Sequence, residues 1–390
     1  MMLGFIQQGF TQTVTNPTSP WTVPAGVASI KVEVWGGGGA GGGCNSTLGA
    51  SYGSGGGGGA YNVSTFSVST GQTYSITIGA GGTGSSDANG TNGTGSTVSG
   101  PGGSVTANPG LGGARRGGTA GTGGTSGFNN GGNGGTATSN GAGGGGGAGN
   151  ATPSGGGNGG NGSNTAAGTA GAGALPGGAG GANQTGNGDG NAGNAPGGGG
   201  GGGHQGGLWN GSKNGGAGAA GKVVITYTVV PAPTITDFSP TYACSGSLPS
   251  VTITGTNFTG ASAVTFNGSA ASSFIVDNAT QIRATIPAGA TTGPIAVTTI
   301  GGTGTSSTNF TVSSPVASVT SQTNITCNAA DNGTITVSAG GGIPPYQFSL
   351  DNGEPYTAGS NPYTFTGLKP NVPYMIRVKD SHDCTSPIIP

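Results

Sequence analysis

Two histidines, four cysteines and a thin scatter of charge are all the reactive chemistry that this 390-residue chain carries. Hydrolysis by a side-chain nucleophile needs a histidine beside an oriented acid. His204 stands in a run of glycines, and His382 stands in a terminal turn with Asp380 and Asp383 as acidic neighbours. Both read as loop histidines. Cys44, Cys244, Cys327 and Cys384 form no CxxC pair, which removes zinc-ribbon and thioredoxin-like chemistry. The stretch 216–223 nearly spells a phosphate-binding loop. It lacks the Ser or Thr that holds magnesium, and it precedes a strand pattern rather than a helix. Asp351 and Glu354 lack the acidic spacing of a calcium loop and read as a surface turn. No catalytic residue, metal site or cofactor is expected, and the chain is predicted not to be an enzyme.

What remains is binding. Tyr52, Leu111, Arg115, Arg116, Phe128, Leu208 and Trp209 interrupt a long stretch of small residues. Set among Gly, Asn and Ser, they have the makings of a ligand surface, with rigid aromatic anchors beside adaptable polar neighbours. Aromatic faces stack on sugar rings, and Asn side chains bond hydroxyls. Arg115 and Arg116 offer charge-assisted hydrogen bonds to acidic groups. The alternative is that these residues plug gaps between the glycine stretch and the strands that frame it.

Composition narrows the partners. Lys and Arg total 9, Asp and Glu total 10, and charged residues are only 5% of the chain. The clustered cations that nucleic acid or anionic lipid requires are missing. No apolar run approaches the roughly 18–20 residues that span a bilayer. Short runs of alternating Thr, Val, Ile and Tyr bounded by Gly, Asn and Pro predict an all-β chain.

The elements that must position the binding residues fall into segments. Residues 1–12 are a leader, for which a signal-peptide remnant and a disordered extension both stand. Residues 13–229 form a glycine-rich domain. Its strand Ser29–Trp35 places Ile30, Val32 and Val34 on one face and Lys31, Glu33 and Trp35 on the other. Further strands at 61–68, 74–78 and 221–227 predict one β-sandwich whose first and last strands pair. Between them lies the tract 36–221, which holds 76 of the 95 glycines. Such material has no apolar core. It is either a floppy coil, since ordering glycine costs the most backbone entropy, or a bundle of extended polyproline-II-type helices with three residues per turn. Framing strands at both ends favour the bundle. The tract shows no strict one-in-three glycine register of the collagen kind.

Residues 231–313 and 315–390 each show regularly spaced short strands, and each predicts an immunoglobulin-like β-sandwich. Cys327 and Cys384 bracket the second, where a bridge would stabilise by about 2–4 kcal/mol. Two free thiols is the competing reading.

Three resemblances attach to these residues. Trp21–Val27 running into Val34–Gly43, with Gly59–Tyr61 and the closing Gly218–Ile225, resembles the glycine-rich domain of bacterial surface proteins and phage tail-fibre adhesins. That resemblance implies a polyglycine-II sandwich with exposed ligand-recognising loops. Ile235–Pro240, Gly255–Phe258 and Val264–Gly268 resemble an IPT/TIG domain. Cys327, Asp331–Ile335, Gly341–Tyr346, Phe365–Leu368 and Asp383–Thr385 resemble the SprB-type repeat of Bacteroidota gliding-motility surface adhesins. The company of these modules implies a fragment of an exported, cell-surface protein of the type IX route. The expectation is an extracellular adhesin. Its loops would hold a surface glycan or cell-envelope ligand, and the two later modules would serve as a stalk. Two other readings stand beside it: a structural filament or matrix protein that associates with itself, and a phage receptor-binding fibre.

Overall fold

The computed structural model describes residues 9–45, 51–138, 142–149, 156–161, 168–172, 187–205, 211–247, 249–323 and 331–390. Among the described residues every regular element is a strand. The chain divides into two compact units, Gly9–Val229 and Val230–Pro390.

In the first unit, β1 (Phe10–Thr15), β2 (Trp21–Thr22), β3 (Ser29–Trp35), β4 (Ser51–Tyr52) and β5 (Tyr61–Ser67) lead the chain. β6 (Thr73–Thr77), β7 (Ser96–Gly100), β8 (Gly103–Ala107), β9 (His204–Gln205) and β10 (Lys222–Val229) follow. Two four-stranded sheets result, in the orders β1-β10-β3-β5 and β2-β6-β7-β8. The alternation of β3 decides which face is buried. Ile30, Val32 and Val34 join Tyr74, Val98 and Ile225 in one core, while Trp35 turns outward to pack with Tyr61 and Val224. As the sequence predicted, the strand Ser29–Trp35 pairs antiparallel with the closing strand, Ile30 against Tyr227 through Trp35 against Lys222. β1, whose first residues fall in the leader expected from the sequence, adds to the other edge of β10, Phe10 against Val229 through Thr15 against Val224.

Six of these strands run straight on into glycine-rich threads that are neither helix nor strand. β3 continues as 36–44, β6 as 79–86 and β8 as 108–114, while 53–60 leads into β5, 88–95 into β7 and 213–221 into β10. The central thread 53–60 shows the bonding rule. Gly53, Gly56 and Gly59 donate their N–H groups to Gly203, Gly200 and Gly197. Ser54, Gly57 and Ala60 donate to Ala114, Leu111 and Asn108, and Gly55, Gly58 and Tyr61 donate to Gly135, Gly132 and Asn129. All nine bonds are 2.8–3.0 Å. The carbonyls of the same thread accept from three further threads: from Gly36, Gly39 and Gly42, from Gly121 and Gly124, and from Gly143, Gly146 and Gly149. Six neighbours therefore surround one backbone, and each is met every third residue.

Glycine is what allows this approach. A Cβ on Gly57 would lie 2.0 Å from the Thr122 carbonyl oxygen, and one on Gly58 would lie 2.1 Å from that of Gly147. Both obstacles are backbone, which no rotamer change can move. The absent one-in-three register is corrected here. Within each thread it is kept, as in Gly90 and Gly93, Gly110 and Gly113, Gly121 and Gly124, and Gly156 and Gly159, whose amides each serve one neighbour. Turns of unequal length shift the frame between threads, so the tract read as a whole looks irregular.

Outer threads lack a neighbour on one side, and asparagine supplies the missing acceptor. Asn92 Oδ1 accepts the Gly112 N–H at 2.8 Å, Asn133 Oδ1 that of Gly123 at 2.8 Å, and Asn158 Oδ1 that of Asn133 at 2.8 Å. Asn89 and Asn161 do the same for Arg115 and Thr136. Asn92→Ala is expected to cost about 1 kcal/mol and to raise hydrogen exchange at the Gly112 amide while leaving the Gly57 amide protected. Exchange measured by NMR on the native chain and on Asn92→Ala checks this.

The second unit contains two sandwiches. The first is built from β11 (Thr234–Ser239), β12 (Tyr242–Cys244), β13 (Ser250–Thr256), β14 (Ala263–Phe266) and β15 (Ser269–Ala270). β16 (Ser273–Asn278), β17 (Gln281–Thr285), β18 (Gly293–Thr299) and β19 (Gly302–Ser313) complete it. Its sheets, β11-β13-β17-β16 and β12-β19-β18-β14-β15, close on Val251, Ile253, Phe258, Phe266, Ile282 and Phe310. The second has β20 (Val316–Thr323), β21 (Gly333–Gly340), β22 (Gln347–Ser349), β23 (Thr357–Ala358), β24 (Tyr363–Leu368) and β25 (Arg377–Lys379). Sheets β20-β21-β24 and β23-β22-β25 enclose Val337, Phe348, Ile376 and Val378.

The disulfide expected between Cys327 and Cys384 is corrected. Cys384 bonds to Cys244 of the preceding sandwich, 140 positions away, with Cα atoms 5.2 Å apart. The reason is topological. β12 pairs in parallel with the last residues of β19, Cys244 opposite Ser313, so Cys244 is carried to where the chain enters the next sandwich. The turn after β25 brings Cys384 there. Cys327 lies outside the described residues, and Cys44 is free and buried. Two more contacts join the same sandwiches. Ser313 Oγ donates to the buried Asp380 carboxylate, and the Tyr242 and His382 rings meet edge to face at 4.0 Å.

Candidate functional site

The glycine lattice has two ends, and at one of them its threads become the strands of the sandwich. At the other the threads turn back, and the tract's described charges gather there. Asp87, at φ 51°, occupies the turn between 79–86 and 88–95. Arg115 and Arg116, at the turn after 108–114, both reach it. Arg115 Nη1 donates to the Asp87 carbonyl at 2.9 Å and lies 3.3 Å from Oδ1. Arg116 Nε donates to the same Oδ1 at 2.9 Å, with Nη2 at 2.7 Å. The Gly117 N–H then donates to the Tyr52 carbonyl at 2.7 Å, tying this turn to β4.

β4 pairs with β9, Tyr52 opposite His204, and their rings lie 5.0 Å apart. Next to them Cys44 and Lys213 exchange both backbone hydrogen bonds, at 2.9 and 2.8 Å. Asp189 Oδ1 accepts the Asn214 N–H at 2.8 Å. One surface therefore carries Asp87, Arg115, Arg116, Asp189 and Lys213 over a buried layer of Cys44, Ser51, Tyr52, His204 and Gln205.

Burial sets the protonation of that layer. It pushes the Cys44 thiol up to about 11, so the thiolate needed for nucleophilic attack is scarce at neutral pH. It raises the Tyr52 phenol and lowers the His204 imidazole, which favours a neutral ring. The arginines face their own carboxylate. What the surface offers a ligand is an oriented network of donors and acceptors. Among the described residues no group of three or more His, Cys, Asp or Glu could hold a metal ion.

The residues singled out from the sequence do not form one patch. Arg115 and Arg116 lie together at the turned end, with Tyr52 beneath them at 7% exposure. Leu111 is exposed along the thread 108–114, and Phe128 packs edge to face on Tyr61 at the strand end, 5.7 Å between centroids. Leu208 and Trp209 lie outside the described residues. Nothing in the spacing marks Asp87 as the arginines' partner. A signal was present, because the tract's few charges all fall beside breaks in its glycine runs.

An all-β chain with a glycine-rich domain, an immunoglobulin-like sandwich and a repeat module in that order has a surface-adhesin-like architecture. Comparison with family models gives the modules their names. The chain belongs to the glycine-rich domain family, whose model matches residues 13–228. An IPT/TIG domain matches residues 233–313, and a SprB repeat matches residues 319–355. Comparison with curated protein sequences returns no match. Among solved structures the chain is similar to SGBP-B from a complex xyloglucan utilization locus in Bacteroides uniformis. That likeness has 15% identity over 41% of this chain and 49% of that one, with a TM-score of 0.18. It is similar also to a crystal structure with xylogluco-oligosaccharide, at 20% identity over 43% and 41%, with a TM-score of 0.20. The chain spans less than half the length of either, and at these TM-scores neither likeness carries an argument.

Proposed function

We propose that the glycine-rich unit is the binding head of a cell-surface adhesin and that the turned end of its lattice holds a surface glycan. One observation carries the reading. The described Asp, Arg, Lys and His side chains of residues 36–221 collect at the end of the lattice opposite the sandwich. The interior, peptide group against peptide group, uses none of those charges, and at the turned end Asp189 and Arg115 each satisfy only a single backbone group, which leaves further donors and acceptors for something outside the lattice. The three-residue bonding period supports a polyglycine-II bundle as the platform. A rigid platform lets short turns present side chains at low entropic cost. Because Asp87 engages both guanidiniums and cancels one of their two charges, the surface suits a hydroxyl-rich ligand that bonds to both partners of the cluster.

Residues 231–313 and 315–390 act in this reading as the stalk, and residues 13–229 as the head. A disulfide is at home outside the reducing cytosol, which supports an extracellular location. The test is a glycan array probed with the full chain and with Arg115→Ala, Asp87→Ala and Phe128→Ala. Binding at least about ten-fold weaker for the first two, a difference of roughly 1.4 kcal/mol, with Phe128→Ala unchanged, is the expected result. If nothing on the array is held, or if Phe128→Ala matters as much as Arg115→Ala, the turned end is not the site.

A further inference from the structure

We infer that the Cys244–Cys384 bond is a mechanical bypass, which removes the body of both immunoglobulin-like sandwiches from the line of tension along the chain. From Val230 the chain makes only β11 and β12 before reaching Cys244 at the end of β12. There the covalent bond crosses directly to Cys384, 140 positions on, leaving six residues to Pro390. Every strand from β13 to β25 lies inside the loop so closed.

A pull applied to the two ends of the unit runs through β11, β12, the sulfur bridge and residues 385–390. It can peel β11 from its antiparallel partner β13, or β12 from β19. It cannot extend anything between the two cysteines, because a covalent bond holds their ends together. The position of Cys244 is what makes the bypass nearly complete. A bridge within the last sandwich, between Cys327 and Cys384, would leave β13 through β20 under load. The other contacts at the junction, Ser313 with Asp380 and Tyr242 with His382, keep the two cysteines adjacent but bear no covalent load. The shortcut is a property of the connectivity and does not depend on which ligand the lattice holds. The adhesin reading enters only in naming where a load would come from.

The experiment stretches the full chain, tethered by its two termini in an optical trap, before and after reduction with a phosphine. The Cys244→Ser variant is stretched alongside. At about 3.6 Å per extended residue, the 140-residue separation hides about 50 nm. The reduced chain is therefore expected to extend about 50 nm further than the oxidised one, and Cys244→Ser to give the longer value in both conditions. The oxidised and reduced native chains decide the matter even where the variant folds poorly, since total extended length does not depend on a native start. Equal lengths before and after reduction would overturn the inference. So would a gain of only about 20 nm, the signature of a Cys327–Cys384 bond.

Discussion

Gly57→Ala is expected to break the glycine lattice, while Gly127→Ala, the same substitution 70 positions along, is expected to leave it intact or slightly firmer. At Gly57 the new methyl would sit 2.0 Å from the Thr122 carbonyl oxygen, 2.4 Å from its carbon and 2.8 Å from the Gly123 nitrogen. All three are backbone atoms of a thread that is itself bonded on both sides. Relief requires pushing a whole thread outward and stretching the bonds that serve its neighbours. A cost of at least about 3 kcal/mol follows from overpacking without a side chain to yield. In a unit of this size, that lowers the melting temperature by about 6–12 °C. At Gly127 a Cβ meets nothing within 4 Å. Alanine there only restricts the unfolded chain, which stabilises by up to about 1 kcal/mol. Calorimetry on the two variants checks the opposite signs. Equal, small effects would mean that the threads are not packed as described.

Asp380→Asn should be nearly as damaging to the second unit, and the loss should carry a pH signature. The carboxylate is buried, yet four donors point at it. Oδ2 accepts from Ser313 Oγ and from the Ile343 N–H at 3.0 Å. Oδ1 accepts from the N–H groups of His382 at 2.9 Å and Cys384 at 3.0 Å. Burial alone would raise its pKa. The four hydrogen bonds outweigh burial and hold the group below the ordinary carboxylate range. An amide in its place sets an NH2 against two of the donors, at a cost of about 3 kcal/mol. The sign follows from linkage. A carboxyl whose folded pKa is depressed contributes its stability in full above the unfolded value and loses it as pH falls through the folded one. The native unit should therefore weaken steadily as pH falls below about 5, and Asp380→Asn should flatten that slope. Urea denaturation at several pH values measures both. A variant with unchanged slope would remove Asp380 as its source.

The two residues just discussed also show what could be read from the sequence and what could not. Alternation in Ser29–Trp35 reveals which face of that strand is buried, because the period of two is local. The pairing of β3 with β10 was legible for a different reason, since strands at both edges of a coreless tract have only each other to close on. The strand β1 was not, because its first residues fall in the expected leader. Gly57 stands in an unbroken run from Gly55 to Gly59, where no single position announces a special contact. Its importance comes from six neighbours scattered over more than a hundred residues. Asp380 and Cys384 were visible as residue types, but their partners Ser313 and Cys244 belong to another sandwich and are delivered by a parallel strand pairing. Of the residues proposed for the site, Arg115 and Arg116 stood out because charge is rare in the tract. Tyr52 was read as a ligand anchor, but the structure lays its ring against His204 beneath the surface.

The asparagine caps of the outer threads carry a consequence for growth of the scaffold. Each cap closes one amide that a further thread would otherwise serve, so the perimeter is finished with side chains and the interior with backbone. Lengthening a turn, or adding a hairpin of two threads along an edge, needs only a new pair of glycines in phase and a new asparagine outside them. The material can thus be widened or re-tipped piecemeal, with no apolar core to redesign.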